Sequence, residues 1–336
     1  MRILAIGATG FIGPPLVRRL VKHGHDVVVF HRGETDADLP DIVQHFHGDR
    51  NDLSEHRDAF EGIAPDVVID VVPYTEAQAE QVVEVFEGIA DRLVAVSSSD
   101  VYRNYDGWRG LGDHDPDPVP LDEEAPLRED LYPYRGYEGL DFEYAEDYDK
   151  ILVERVLMNA DGLAGTVLRL PAVYGPGNTQ HRLAPHLRRM DDDRPAILMD
   201  EGQAAWRWTH GYVENVAAAI ATAATDQQAS DRLYNVGEAE TPTEAERVRH
   251  LARVVGWGGD VVPVPSSELL KHLQAPGDWR YELETDTRRL RDELGYEAPV
   301  AMDEALRRTV EWERAHQSDA PAPDYEAEDA VLNSRS

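Results

Sequence analysis

At 336 residues the chain is long enough for one large α/β domain with a smaller lobe. Its 65 acidic residues against 33 basic ones give a formal net charge of −32, a field that repels polyanions and sets nucleic acid aside as a partner, and that suits a salty cytoplasm in which the Debye length is short. Cysteine is absent, which excludes disulfides, thiolate nucleophiles and cysteine-ligated metals, and no apolar run is long enough for a membrane span.

Met1 leads directly into the apolar run RILAIG (2 to 7), with no basic segment or cleavage site before it, so a soluble cytoplasmic chain is expected. A helix from Pro14 to His23 follows, then strands at 26 to 31, 42 to 49, 66 to 72 and 92 to 99, with helical segments such as 75 to 89 between them. Short β-branched runs alternating with helices predict a doubly wound parallel sheet, an α/β fold with right-handed crossovers. From Asn104 to Glu143 the pattern breaks into Gly, Pro, Asp and Tyr, and a loop of that length in a compact domain is functional or disordered. Next come a helix at 147 to 160, a strand at 166 to 170, the turn-rich PAVYGPGN (171 to 178) and a helix at 181 to 190. An aromatic strand at 204 to 213, a helix at 214 to 225 and a strand at 233 to 237 precede a helical last third, interrupted by DVVPVP (260 to 265). The acidic tail 317 to 336 is expected to be disordered.

The first chemical signal is IGATGFIG (6 to 13), a GxxGxxG array that follows a strand and opens a helix. Gly7 permits the tight turn, Gly10 lets backbone approach a pyrophosphate, and Gly13 lets helix pack on strand. Thr9, Phe11 and Ile12 complete this dinucleotide-binding turn of a Rossmann domain. At the end of the second strand, where an acidic residue would select NAD, the chain has His31 and Arg32. An arginine there pairs with a 2′-phosphate, so NAD(P) is expected with a lean toward NADP. The alternative leaves Arg32 in solvent and NAD bound through weaker contacts. Asp49, after the third strand, lies at the adenine edge of such a site and can also cap the segment that follows.

The glycine array, VAVSSSDVY (94 to 102), Lys150 with Glu154, LRLPAVYGPGN (168 to 178) and LYNVG (233 to 237) together resemble the extended short-chain dehydrogenase/reductase family, of the NAD-dependent epimerase/dehydratase type. Residues 285 to 316 are similar to that family's C-terminal segment. The resemblance implies a Rossmann dinucleotide-binding domain over 1–173, with 206–236 returning to it, and a substrate lobe from 174–205 and 237–316. It also implies a homodimer and a small-molecule substrate such as a sugar nucleotide; no metal is expected, since the acidic runs at 113 to 117 and 191 to 193 suit a solvated surface better than a metal cage. In the family a Ser or Thr after the fifth strand orients the substrate, which falls on Ser98 with Ser99 beside it. The bland alternative for this serine run is turn capping. Val71 and Pro171 are expected beside the cofactor, and Val173, Asn178 and Arg207 near the substrate. Trp206, Trp208 and His210 share a strand face opposite Arg207, where packing between lobes is preferred over ligand binding.

The family's catalytic tyrosine stands four residues before its lysine, because positions four apart on a helix lie about 40° apart and share a face. Here that position holds Glu146. Lys150 either contacts the cofactor or pairs with Glu154 one turn on. Three options stay open: Tyr144 or Tyr148 supplies the phenol from a non-helical start, Glu146 acts as base, or the site binds cofactor without turnover as a sensor or scaffold. Tyr148 is preferred, with Asp147 capping a helix that begins there. The expected catalytic set is therefore Ser98, Tyr148 and Lys150.

Overall fold

The computed structural model describes residues 1–137, 142–316 and 322–335. Its first half runs β1 (Arg2–Ile6), α1 (Gly13–Lys22), β2 (Asp26–His31), β3 (Gln44–His47), α2 (Arg57–Ile63), β4 (Val67–Asp70), α3 (Glu76–Phe86), β5 (Arg92–Ser98), α4 (Arg103–Trp108), α5 (Lys150–Met158) and β6 (Ala164–Leu170). The remainder is β7 (Ala172–Tyr174), α6 (Ala184–Asp191), β8 (Ala196–Asp200), α7 (Glu201–Ala205), β9 (His210–Tyr212), α8 (Val213–Thr225), β10 (Arg232–Asn235), α9 (Glu244–Val255), β11 (Asp260–Val264), α10 (Arg288–Leu294), α11 (Met302–Ala315) and α12 (Tyr325–Ser334).

Seven strands form one sheet in the order β10-β6-β5-β4-β1-β2-β3, with every neighbouring pair parallel. Successive residues of a strand face opposite sides, so these apolar runs need cover on both. Ile3, Ala5, Val27 and Val29 meet Leu16 and Val17 of α1 and the alanine-rich α8. Leu4, Ile6, Val28 and Phe30 meet Val82 and Phe86 of α3 and Val153 of α5. This is the doubly wound Rossmann-type fold expected. The chain leaves β1 toward β2 and β3, then returns to its other side as β4, so the strand ends of β1 and β4 flank the crevice where such sheets bind ligands. A second lobe packs α6, α9 and α11 around the two-stranded pair β8–β11.

Several boundaries differ from those expected. Helix α5 starts at Lys150, three residues late, because the Asp149 carboxylate caps it by accepting from the Ile151 amide at 2.8 Å; Asp147 is exposed and is not the cap. The stretch 104–143 is not all loop, since α4 runs to Trp108. The aromatic strand shrinks to β9, preceded by the short α7, and β8 is an additional strand. Its sequence AILMD is a short apolar run with a helix on either side, which periodicity alone does not separate from helix.

The tail also departs from the expectation of disorder. Residues 317–321 lie outside the described residues, but α12 folds back on α6: Arg189 forks onto the buried Glu328 carboxylate at 2.5 and 3.1 Å, and Arg194 pairs with Asp329. Composition signals polarity here, whereas the partners for these carboxylates come from 130 residues and more earlier in the chain, in α6 and just beyond it.

Candidate active site

The glycine array does what its spacing requires. Gly7 has φ +72, and a Cβ there would lie 2.3 Å from Val72 Cγ2, so both conformation and space exclude a side chain. A Cβ on Gly13 would fall 2.2 Å from the Ala8 backbone, whereas one on Gly10 would meet nothing within 4 Å. That open position faces a cavity of about 230 Å³ lined by Gly7, Thr9, Gly10, His31, Arg32 and Asp49, as expected from the sequence, together with Arg50, Val72, Tyr74 and Tyr144. A glycine cradle at the start of α1, open at Gly10 and edged by Arg32 and Arg50, suits the pyrophosphate of a dinucleotide.

Other residues assigned to the cofactor do not line this cavity. Val71 packs into the sheet core, and its neighbour Val72 lines the cavity, because β4 ends at Asp70. Phe11 and Ile12 pack toward the second lobe. Pro171 is buried at the β6–β7 junction, against Gly211, and does not line the cavity. Asp49 caps the turn that follows it, accepting from the Asn51 amide at 2.8 Å, while its residue still borders the cavity. Arg32 lies 3.0 Å from Glu34, half exposed. His31 is bonded to His45 at 2.9 Å, and burial pushes its pKa down.

Sequence reasoning misses Arg50, whose guanidinium meets the buried Asp70 carboxylate at 2.5 Å while its Nε and Nη1 have no partner. Nothing in the local pattern marks it, since an arginine after Asp49 reads as surface.

Beyond the cavity, Lys150 is only 3 % exposed and stands on no solvated face. Its ammonium donates to the carbonyls of Pro73 at 2.7 Å and Val96 at 2.9 Å, not to Glu154. Glu154 instead receives the Arg169 fork at 2.9 and 2.7 Å and the Ser97 hydroxyl at 2.5 Å. Burial pushes the Lys150 pKa down to about 8, against the pull of the Asp100 and Asp70 carboxylates.

Tyr148 precedes α5, in a single bridge to Thr75, so the non-helical start does turn it inward. Its buried hydroxyl donates to Asp100 Oδ2 at 2.7 Å, and its ring lies 5.8 Å from the Lys150 ammonium. Burial, then the Asp100 carboxylate, raises the Tyr148 pKa. Asp100 is itself raised by burial, accepts a second hydrogen bond from Tyr134 at 3.3 Å, and leaves Oδ1 with no partner. The carboxylate is visible in SSSDVY, where the serines draw the assignment away from it. Ser98 caps the turn that carries Asp100, accepting from its amide at 3.2 Å, which leaves the hydroxyl proton free to donate. Ser99 is partly buried beside it. Glu146 is exposed and accepts from the Gly136 amide at 3.0 Å, away from Lys150, and Tyr144 accepts from Asn51 at 3.2 Å on the cofactor side.

On the substrate side, Asn178 spends its side chain inside its own turn, donating to Val173 O at 3.1 Å and accepting from the Gln180 amide at 2.9 Å. Val173 pairs with Gly211 in the β7–β9 ladder. Arg207 bonds Thr241 O and faces a separate surface cleft with Arg249 and Arg253. Neither polar side chain reaches Tyr148. The face opposite Arg207, with Trp206, Trp208 and His210, lines a cavity of about 430 Å³ in the second lobe. Among the described residues, no group of three His, Asp or Glu is placed to hold a metal ion, and no helix is long and apolar enough to cross a membrane.

A Rossmann domain whose glycine turn, buried lysine and tyrosine converge on the strand ends places the chain in a known class. It belongs to the NAD dependent epimerase/dehydratase family, whose model matches residues 3–237. It is thereby an enzyme of the reductase, epimerase or dehydratase kind that works with a nicotinamide dinucleotide. The chain is 27% identical over 281 residues to 2′-dehydrokanamycin reductase of Streptomyces kanamyceticus, covering 82% of this chain and 72% of the relative. It is 26% identical to the chloroplast stem-loop binding protein of 41 kDa b of Arabidopsis thaliana, over 70% of this chain and 58% of that protein. In fold it is similar to dTDP-glucose 4,6-dehydratase of Bacillus anthracis in complex with NAD, with a TM-score of 0.66, 17% identity, and coverage of 94% of this chain and 97% of that one.

Proposed function

We propose that the chain is an NAD(P)-dependent reductase or epimerase/dehydratase acting on a hydroxyl or carbonyl of a sugar nucleotide or similar small molecule. The observation that carries this reading is the hydrogen bond from Tyr148 to Asp100, beside a buried Lys150 whose ammonium donates to Pro73 O after β4 and Val96 O in β5. The nicotinamide, when bound, supplies the hydride acceptor or donor. The protein's own groups manage the proton. As the substrate O–H bond breaks, its proton forms a new O–H bond on Tyr148, while the tyrosine's own proton passes to Asp100 Oδ2; carbonyl reduction runs the same path backward. A phenol beside a carboxylate does not ionise alone, since each charge disfavours the other. A carboxyl raised by burial is the better store for the proton, and the Lys150 cation stabilises the pair whenever it is negative. Ser98, with its proton unspent, polarises the carbonyl.

We take the cofactor to be NADP in preference to NAD. Arg32 and His31 stand where a selective acid would be, and the Arg32–Glu34 pair is exposed enough to open at little cost. The solved relative named above holds NAD, so NADPH and NADH are to be titrated in parallel.

The test is transfer of deuterium from C4-labelled NADPH or NADH across a panel of sugar nucleotides and simple carbonyl compounds. Label should enter product with wild type and not with Tyr148→Phe, which should still bind cofactor. Cofactor binding with no transfer to any carbonyl compound, and no epimerised or dehydrated product from any sugar nucleotide supplied with NADP⁺ or NAD⁺, would establish a binding module instead.

A further inference from the structure

We infer that the C-terminal helix α12 is a strap: its buried Glu328 ties together two walls of the tryptophan-lined cavity of the second lobe, so that release of α12 opens that cavity. The helix lies beyond residues 285–316, the stretch that resembles the C-terminal segment of the family.

One wall is α6, which lends Pro185 and His186 to the lining; another is the segment 265–279 after β11, which lends Ala275, Pro276 and Trp279. Both walls reach the same carboxylate. Arg189 of α6 donates to Glu328 Oε1 at 2.5 Å and to Oε2 at 3.1 Å, and its Nη1 donates to the Pro185 carbonyl at 2.8 Å, one turn back in the wall itself. From the other side His272 Nε2 lies 3.8 Å from Glu328 Oε1. Glu328 is 1 % exposed, so the pairing takes place out of water, where losing one partner strands the other as a buried charge.

The remaining contacts of α12 divide between the same two walls. Val331 and Leu332, one turn after Glu328 and so on its face of the helix, pack against the cluster of Leu198, Val264 and Leu269, alongside Leu273. Arg335 pairs with Glu268, and Asp329 with Arg194 just past α6. The segment itself is thinly held between its ends. The side-chain amide of Gln274 donates to the carbonyls of Ser266 and Leu269, inside the segment, and Lys271–Leu273 has no buried residue. Its ends are anchored by the Ser266 hydroxyl on Asp200 and by the Asp278 amide on Trp108 O at 2.8 Å. A helix of ten residues is not stable by itself in water, so α12 persists only while docked, and helix and segment hold each other.

Trp279 ends the segment and meets Trp206 edge-on at 5.2 Å, so an indole pair registers the segment against the facing wall. Under the reaction proposed above, on which only this consequence rests, the strap acts on substrate entry, because the cavity adjoins the proton path. Trp108 in its wall lies 5.6 Å from Tyr105, whose hydroxyl is 3.0 Å from that of Tyr134, and Tyr134 donates to Asp100.

The test compares the full chain with Glu328→Gln and Leu332→Ala by hydrogen exchange and near-ultraviolet circular dichroism. Helix α12 contains no tryptophan, so the dichroic band of the Trp206–Trp279 pair, identified by its loss in Trp279→Phe, reports the cavity rim and not the helix. In Glu328→Gln, exchange of 325–334 and 266–276 should accelerate together by at least about tenfold while β1 and β4 keep wild-type protection, and the Trp279-dependent band should fall by about half or more. Leu332→Ala leaves the ion pair in place and should accelerate the same two segments by about threefold; it alone decides if far-ultraviolet dichroism shows that Glu328→Gln does not fold. Faster exchange confined to 325–334, or exchange and tryptophan band unchanged in a folded variant, overturns the inference. Neither readout needs turnover, so a failed deuterium transfer would strike the proposed reaction and not the strap.

Discussion

Lys150 and Glu154 stand one turn apart on α5 and both are buried, yet they belong to different kinds of surroundings. Glu154 has both oxygens occupied by the Arg169 fork and one of them also by Ser97, and Arg169 in turn reaches Tyr102 at 3.0 Å. Charge there is matched atom for atom, as a buried ion pair must be if it is not to cost several kcal/mol. Lys150 has only carbonyls as direct partners, and the carboxylate nearest its chemistry, Asp100, is raised by burial and has an oxygen with no partner. A saturated buried charge fixes structure. A buried charge short of partners is where the protonation state can change, and it marks the functional end of the helix.

The largest effect expected from this contrast is on turnover. Asp100→Asn should lower the rate by roughly 10²–10⁴-fold, the usual worth of a positioned acid–base group. Stability should move the other way. The folded-state pKa of Asp100 is raised, so between the unfolded and folded values the native state holds the extra proton, and wild-type stability declines as pH rises through that window. Above it, the asparagine variant should unfold at equal or higher urea than wild type. Unchanged turnover would dissolve the distinction between the two clusters.

Arg169→Met should do the reverse, costing about 3–5 kcal/mol in urea unfolding by leaving Glu154 buried and unpaired, while NADPH affinity of the folded protein stays at the wild-type value. A third measurement sharpens the contrast through pH. The folded pKa of Lys150 is about 8, below its unfolded value of 10.5, so between these limits the unfolded state binds the extra proton and stability rises with pH. The stability difference between Lys150→Met and wild type should shift in favour of wild type by up to about 3 kcal/mol from pH 8 to 10.5. A flat difference would mean the lysine is not desolvated. Turnover should fall above about pH 8 as the cation is lost.

The same contrast explains what is legible in the sequence. The sheet can be read because each apolar β-branched run stands between helices, and the glycine turn because its spacing is a local steric demand. The inward turn of Tyr148 is partly legible, since a tyrosine two before Lys150 cannot share its helical face and so requires a late helix start. That Asp149 rather than Asp147 provides the start is not legible, as both are acceptable caps. The partner of Glu154 is hidden because Lys150 stands one turn away, whereas Arg169 lies 15 residues on, in β6, and meets Glu154 only once α5 packs on the sheet.

The smallest expected effect separates a group spent on the fold from one held open within the glycine turn itself. Gly7 is used by the fold: its φ is positive and a Val72 methyl lies 2.3 Å from where its Cβ would stand, so Gly7→Ala strains the backbone and displaces a neighbour. The αL penalty alone is roughly 1–2 kcal/mol, so urea unfolding should report the change even without cofactor. Gly10 has nothing within 4 Å of its own Cβ position and carries no positive φ, so Gly10→Ala should leave unfolding within about 0.5 kcal/mol of wild type. Its methyl instead enters the cavity that the cradle encloses. NADPH affinity should therefore fall in Gly10→Ala with stability preserved, whereas in Gly7→Ala both should fall together. If Gly10→Ala bound NADPH as tightly as wild type, the open face of the turn would not be where the diphosphate rests.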